Sequence, residues 1–152
     1  MRKAEREIMD QGELEEVIRR AEVCRLAMVD DGEPYIVPMN FGYRDGCLYF
    51  HCAKEGRKLD VLRENPKVCF ELEADVRLVR GESPCKWSTS FESVIGWGTA
   101  DIIMDEKEVK RGLEALMAHY TEGPFDFDPR SLSLTALIKV KVERMTGKRS
   151  KR

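Results

Sequence analysis

The chain has 152 residues, and 42% of them are hydrophobic, which favours one packed globular domain over a disordered segment. Its 26 basic and 28 acidic side chains leave a formal net charge of −2. A chain with this balance has no general attraction for nucleic acid, so any anion-binding site has to be local. We therefore expect a small-molecule partner and no nucleic acid.

The five cysteines are an odd number without a CxxC pair, which indicates reduced thiols rather than a disulfide framework. The N-terminal segment is charged and lacks the apolar core of a signal peptide. No apolar run approaches the roughly 18 residues of a membrane-spanning helix. We therefore expect a cytoplasmic protein without a membrane partner. The spacing of its His and Cys residues predicts no metal site.

The first predicted element is a short amphipathic helix at Glu13–Ala21, whose apolar side chains recur every three or four residues. Three strands separated by Asp-Gly turns are predicted next: Val23–Val29, Pro34–Tyr43 and Cys47–Cys52. Pro38 has no N–H to donate to a sheet, so it indicates an edge, a bulge or a strand end. The front of the chain is therefore predicted to be an antiparallel meander.

The rest of the chain adds two helices and three strands. The predicted helices are Gly56–Glu64 and Asp105–Tyr120, and the side chain of Asp105 caps the second one. The predicted strands are Val68–Leu72, Phe91–Met104 and Thr135–Val142, with a polar loop at Val79–Ser90. Gly96 and Gly98 indicate a bulge, a bend or a close backbone approach within the long strand.

This pattern predicts a mainly β fold, with about six antiparallel strands in a small barrel and flanking helices. One domain is expected to span residues 1–152. Residues 1–10 and 147–152 are predicted to be flexible ends, since the final segment GKRSKR is highly charged.

Positive charge is concentrated where the third strand gives way to a helix, in the segment AKEGRK. Gly56 allows close backbone approach, and Lys54, Arg57 and Lys58 surround the start of the predicted helix. Unpaired N–H groups and the helix dipole make such a start a natural phosphate site. The alternative is a set of solvated cations on a first turn, although cations there oppose the helix dipole.

Three segments resemble signature sequences of the nitroimidazole-resistance family: PYIVPMNFGY, LYFHCAKEGRKLDVLRENPKVCFELE and SVIGWGTA. That family belongs to the flavin-binding split-barrel proteins related to pyridoxamine 5′-phosphate oxidase. The resemblance covers residues 6–142. It implies a split β-barrel and a homodimer with two FMN sites at the subunit interface, FAD being an alternative cofactor.

The resemblance also implies roles for individual residues. Arg57 and Lys58 would bind the flavin phosphate, while Lys54, Cys52 and Ala53 would flank the ribityl chain. Ser93 would contact the flavin of the other subunit. The strand bordering the isoalloxazine ring would supply main-chain groups and apolar contacts from four residues: Val37, Pro38, Met39 and Asn40.

His51 occupies the position of an active-site histidine in the resembling family. An imidazole exchanges protons near neutral pH, so His51 is the predicted catalytic residue, either protonating a nitro group or orienting a substrate. The alternative is a histidine packed at the end of an apolar strand with one satisfied hydrogen bond. Trp97 is predicted to be a barrel or interface aromatic.

The predicted function is an FMN-dependent oxidoreductase that passes electrons from reduced flavin to a small planar substrate. A different class is a non-catalytic flavin- or haem-binding protein for storage or sensing, in which one histidine could ligate iron. A third possibility is an enzyme of the same fold that uses a deazaflavin.

Overall fold

The computed structural model describes residues 4–150, which form mainly β-structure. The strands are β1 (Glu7–Ile8), β2 (Cys24–Asp30), β3 (Glu33–Met39), β4 (Gly42–Arg44), β5 (Cys47–Ala53), β6 (Lys67–Val79), β7 (Ser88–Ile103) and β8 (Thr135–Ser150). The helices are α1 (Gln11–Arg20), α2 (Arg57–Glu64), α3 (Glu106–Tyr120) and α4 (Pro129–Leu134). The predicted mainly β class with flanking helices is confirmed.

Eight strands, rather than about six, form one antiparallel sheet within residues 4–150, in the order β3-β2-β6-β7-β8-β5-β4 with β1 beside β8. The single strand predicted at Pro34–Tyr43 is wrong, because the chain leaves the sheet at Asn40–Phe41. β3 pairs with β2, whereas β4 pairs with β5 at the other end of the sheet. Only two residues join β3 to β4, so the sheet curls until its two ends face each other. We call this region, between Met39 and β5, the seam.

Three phenylalanines that are fully buried form the centre of the core: Phe41, Phe50 and Phe70. β7 follows this core closely because it contains glycines. A Cβ on Gly96 would lie 2.1 Å from Cζ of Phe70, and one on Gly98 would lie 2.3 Å from the carbonyl oxygen of Lys141. The register also shifts between Trp97 and Gly98. The predicted bulge and close backbone approach are therefore confirmed.

The C-terminal segment is more ordered than the sequence predicts, since β8 continues to Ser150 instead of ending at Val142. A Cβ on Gly147 would lie 2.4 Å from Cδ2 of Leu14, so this glycine lets α1 pack directly onto β8. Ile8 of β1 pairs with the same glycine. The flexible ends were therefore wrongly predicted for residues 4–10 and 147–150, and the remaining end residues, 1–3 and 151–152, lie outside the described part of the chain.

The polar loop predicted at Val79–Ser90 is shorter than expected, because β6 reaches Val79 and β7 begins at Ser88. The two strands continue together beyond the edge of β2 as a two-stranded ribbon. Three of its apolar side chains are exposed: Val76, Leu78 and Trp87. The cap predicted for the helix after β7 is present, because Asp105 accepts a hydrogen bond of 3.1 Å from the N–H of Glu108 at the start of α3.

A buried carboxylate joins three elements of the fold. Glu92 of β7 is 2% exposed and receives hydrogen bonds from Arg20 of α1 and Arg149 of β8. Burial alone would raise the pKa of Glu92, but the two guanidinium groups outweigh it and lower the pKa to about 2. Arg20 also pairs with Asp75, and Arg149 with Glu13.

No helix within residues 4–150 combines the length and the apolar character that crossing a bilayer requires.

Candidate functional site

The segment AKEGRK, which is predicted to bind a phosphate, lies at the seam. Gly56 adopts a φ of 133°, in a region that side chains disfavour, and immediately precedes α2. No side chain caps the helix. The N–H of Leu59 donates a hydrogen bond of 2.9 Å to the carbonyl oxygen of Gly56. The N–H groups of Arg57 and Lys58 are therefore the ones at this helix start that an anion could use.

Lys58 extends from this first turn across the seam. Its Nζ lies 3.8 Å from Sδ of Met39, at the end of β3. Among residues 4–150, no carboxylate lies within 4.0 Å of that ammonium group. Burial raises the pKa of the Cys52 thiol, and the positive charge of Lys58 opposes that rise, so Lys58 also lies near β5. The structure therefore brings together Met39, Cys52 and Lys58.

Arg57 points away from Lys58 and already has partners. Its Nε and Nη2 each lie 2.8 Å from Oδ2 of Asp30, at the end of β2. Its guanidinium group also lies over the ring of Tyr35, 4.4 Å from the centroid. Sequence reasoning missed both Asp30 and Tyr35. The alternation along β3 offered one signal, because it places Tyr35 on the same face as Met39.

The VPMN segment forms the end of an edge strand, since β3 pairs only with β2 among the described strands. This confirms the edge position predicted for Pro38. The side chains of Val37 and Met39 pack against the core, so the free edge presents main-chain groups. Asn40 is held in place, because its Nδ2 lies 3.3 Å from Oη of Tyr120.

The Tyr120 hydroxyl fixes the link between β3 and β4. It donates a hydrogen bond of 2.7 Å to the carbonyl oxygen of Glu22 and accepts one of 3.0 Å from the N–H of Phe41. The sequence placed Tyr120 at the end of a helix without indicating this role.

His51 lies on the outer face of β5, where it alternates with the core-facing Phe50 and Cys52. Its side chain is exposed, pairs in register with Leu137 of β8, and makes no hydrogen bond with the other described residues. This environment differs from the one expected if His51 were a packed histidine with one satisfied hydrogen bond. Ala53 shares the exposed face, and Lys54 is half-buried just beyond it.

Ser93 is not brought to the seam of its own chain. It lies on β7 opposite Glu73 of β6 and Lys148 of β8. In the sheet order β7 is three strands from β3 and two strands from β5, so Ser93 adjoins neither side of the seam in its own chain. A role for Ser93 at a flavin site would therefore require the seam of a second chain.

The outer face of the sheet from β3 to β7 carries three exposed apolar side chains. Val29, Ile36 and Ile95 are each more than two-fifths exposed. Trp97 is half-buried in this face, with the guanidinium group of Arg144 at 3.6 Å from its ring centroid. The position fits the predicted barrel or interface aromatic.

The cysteines are all free thiols: Cys24 is buried, Cys47, Cys52 and Cys69 are partly buried, and Cys85 is exposed. No group of three or more His, Cys, Asp or Glu side chains suited to a metal ion occurs within residues 4–150.

Comparison with known proteins identifies the family. The family model described as pyridoxamine 5′-phosphate oxidase matches residues 10–149. The chain belongs to this family. A solved structure of a candidate 5-nitroimidazole antibiotic resistance protein from Bacteroides thetaiotaomicron VPI-5482 is 35% identical, with a TM-score of 0.82. That match covers 93% of this chain and 85% of the other, so the resemblance seen in the sequence is confirmed.

Two further proteins are similar to this chain, one in fold and one in sequence. The FAD and haem binding protein of Mycobacterium smegmatis has a TM-score of 0.84 at 20% identity, over 97% of this chain and 74% of that one. An uncharacterized protein of Rhizobium meliloti (strain 1021), RA0666, is 34% identical over 65 residues. This last match spans 43% of the chain and only 42% of the relative.

Proposed function

We propose that this protein is an FMN-dependent oxidoreductase that passes electrons from reduced flavin to a small planar substrate, as nitroimidazole reductases do. The observation that carries the proposal is the ammonium group of Lys58, which lies at the seam without a carboxylate partner among the described residues. It adjoins an uncapped helix start, so the two together form an anion site that fits a flavin phosphate. The 35% identical nitroimidazole-resistance protein supports this assignment.

Different residues of the chain would bind different parts of the flavin. Lys58 and the first-turn N–H groups of α2 would hold the phosphate, with Lys54, Cys52 and Ala53 along the ribityl chain. The free edge of β3 would offer main-chain hydrogen bonds to the polar side of the ring. When bound, the flavin supplies the electrons, and the protein sets its position and electrostatic surroundings.

The identity of the cofactor is tested by denaturing the purified protein and measuring the mass of the released ligand. We expect FMN, with a visible flavin absorbance before denaturation. A second candidate is a haem-binding protein, favoured by the exposed imidazole of His51 and by the similarity to a protein that binds FAD and haem. A Soret band without flavin would replace the proposal by this candidate. Release of FAD or a deazaflavin would change the cofactor but keep the redox function.

His51 is the proposed acid of the reaction, since its side chain is exposed on the outer face of β5, where the imidazole could donate a proton to a substrate oxygen. In His51→Ala, turnover of a nitroimidazole by pre-reduced protein should fall about 10²–10⁴-fold at matched flavin occupancy. If His51 only orients the substrate, KM should rise while kcat changes less. Equal kcat/KM in the two proteins would remove His51 from the site.

We further propose that the protein is a two-fold homodimer, in which Ser93 and the segment that joins β6 to β7, residues 84–87, reach the seam of the partner. The exposed apolar face containing Val29, Ile36 and Ile95 supports this arrangement, because burying it would remove apolar surface from water. Ile36→Glu should therefore shift the sedimentation coefficient to that of a monomer and weaken flavin binding. Leu134→Glu, a control at an exposed residue of α4, should remain dimeric. A monomeric wild type with full flavin affinity would contradict the proposal.

A further inference from the structure

A cavity away from the seam lies between α3 and the strands β5 and β8. Its volume is about 300 Å³, at the lower end of the range for small-molecule pockets, and we call it the α3 cavity. The proposed phosphate site follows the end of β5, whereas the α3 cavity adjoins the first half of that strand. None of the residues that line it is assigned above to the flavin or to proton transfer. Its charged lining consists of Arg44, Asp45, Glu108, Arg111 and Lys139.

The rest of the α3 cavity presents a ring and aliphatic surface. A Cβ on Gly112 would lie 2.2 Å from Cδ1 of Leu137 and 3.1 Å from Cδ1 of Tyr49, so α3 packs directly onto both side chains. Leu137 is buried, and Nζ of Lys139 lies 5.9 Å from the ring centroid of Tyr49. Burial raises the pKa of Tyr49, and the positive charge of Lys139 opposes that rise. A flat apolar group in the cavity would therefore meet apolar surface beside an ammonium group.

The three cations of the α3 cavity have no carboxylate partner of their own. Arg44 and Arg111 are exposed and Lys139 is half-buried, and within residues 4–150 none of them forms an ion pair. Asp45 and Glu108 line the same cavity, so three positive and two negative side chains leave a net charge of +1. One negative charge on a ligand balances this lining, whereas a dianion would add repulsion from the two carboxylates. The planar fork of a guanidinium group also matches a carboxylate.

We propose that the α3 cavity is a second ligand site, which binds the carboxylate of a small molecule with a flat apolar body. Arg44, Arg111 and Lys139 bind the carboxylate, while Tyr49 and Leu137 contact the body. Because the site shares no residue with the proposed flavin site, ligand binding here does not depend on the flavin function.

Three small molecules separate the charged half of the site from the apolar half. Benzoate has both the carboxylate and the ring, acetate lacks the ring, and benzamide lacks the charge. Each is titrated into ¹⁵N-labelled protein as purified, and the N–H signals of Gly112 and Lys139 are followed by NMR. We expect saturable shifts with benzoate, and acetate and benzamide should each bind about tenfold more weakly.

Variants of the charged residues test the assignment directly. Arg111→Gln and Lys139→Gln should each weaken benzoate binding by about three- to tenfold, since both cations are partly exposed. Glu108→Gln should tighten it by about twofold, because the variant removes a competing negative charge. Lys110→Gln is the matched control, since Lys110 is exposed on α3 without lining the cavity, and it should leave binding unchanged.

Four results would overturn the inference. Wild-type protein might show no saturable shift of Gly112 at millimolar benzoate, or Lys110→Gln might weaken binding as much as Arg111→Gln. Phenyl phosphate, which carries a second negative charge, might bind more tightly than benzoate. Lys139→Gln might lose its flavin together with benzoate while circular dichroism shows an intact fold, which would make the cavity part of the flavin site. A protein that binds benzoate as expected but contains no flavin would overturn the proposed function alone.

Discussion

Replacing Glu92 by Gln tests the ion-pair network that joins α1, β7 and β8. The pKa of Glu92 falls from an ordinary 4.5 to about 2 in the folded protein. Because each tenfold change in proton affinity corresponds to about 1.4 kcal/mol, the charged form stabilises the fold by about 3 kcal/mol. A lowered carboxyl pKa gives stability that is fully present above the unfolded pKa and is lost as the pH falls towards 2.

Glu92→Gln should therefore lower the free energy of unfolding by about 2–3 kcal/mol at pH 7, since two arginines lose their shared buried carboxylate. The difference between the variant and wild type should shrink steadily between pH 4.5 and pH 2. Urea denaturation at several pH values and one fixed protein concentration measures it. The control is Asp75→Asn, which removes an exposed partner of Arg20 and should cost less than about 1 kcal/mol. A constant difference across this pH range would refute the reasoning.

Two further variants test the packing that positions the site, again by urea denaturation. Gly96→Ala should lower the free energy of unfolding by about 1–3 kcal/mol, because its Cβ would lie 2.1 Å from Cζ of Phe70. Adding Phe70→Leu should cost less in this variant than in wild type, and strictly additive losses would contradict the proposed contact. Tyr120→Phe should cost about 1–3 kcal/mol, because it leaves the carbonyl oxygen of Glu22 without this donor. Tyr49→Phe is the control, since the Tyr49 hydroxyl makes no hydrogen bond within residues 4–150; equal losses would remove the assigned role of the Tyr120 hydroxyl.

Features that depend on near neighbours were predictable from the sequence. The cap predicted at Asp105 is present at the start of α3, where its side chain accepts a hydrogen bond from the N–H of Glu108. The glycines of β7 predicted a bulge, and the cationic segment before α2 was correctly placed at a strand-to-helix junction. Such signals need only the geometry of one strand or one helical turn, so they are contained in short stretches of sequence.

Features that depend on distant partners were decided by the tertiary structure. Asp30 and Arg57 are 27 residues apart, and only the pairing of β2 with β3 and the packing of α2 bring them within 2.8 Å. Likewise, GKRSKR has the composition of a solvated tail, yet Gly147 fits beneath Leu14, and Arg149 finds the buried Glu92. Charge and hydropathy show whether a segment can be exposed to water. The residues that it contacts depend on strand register and on which surfaces of the rest of the fold it covers.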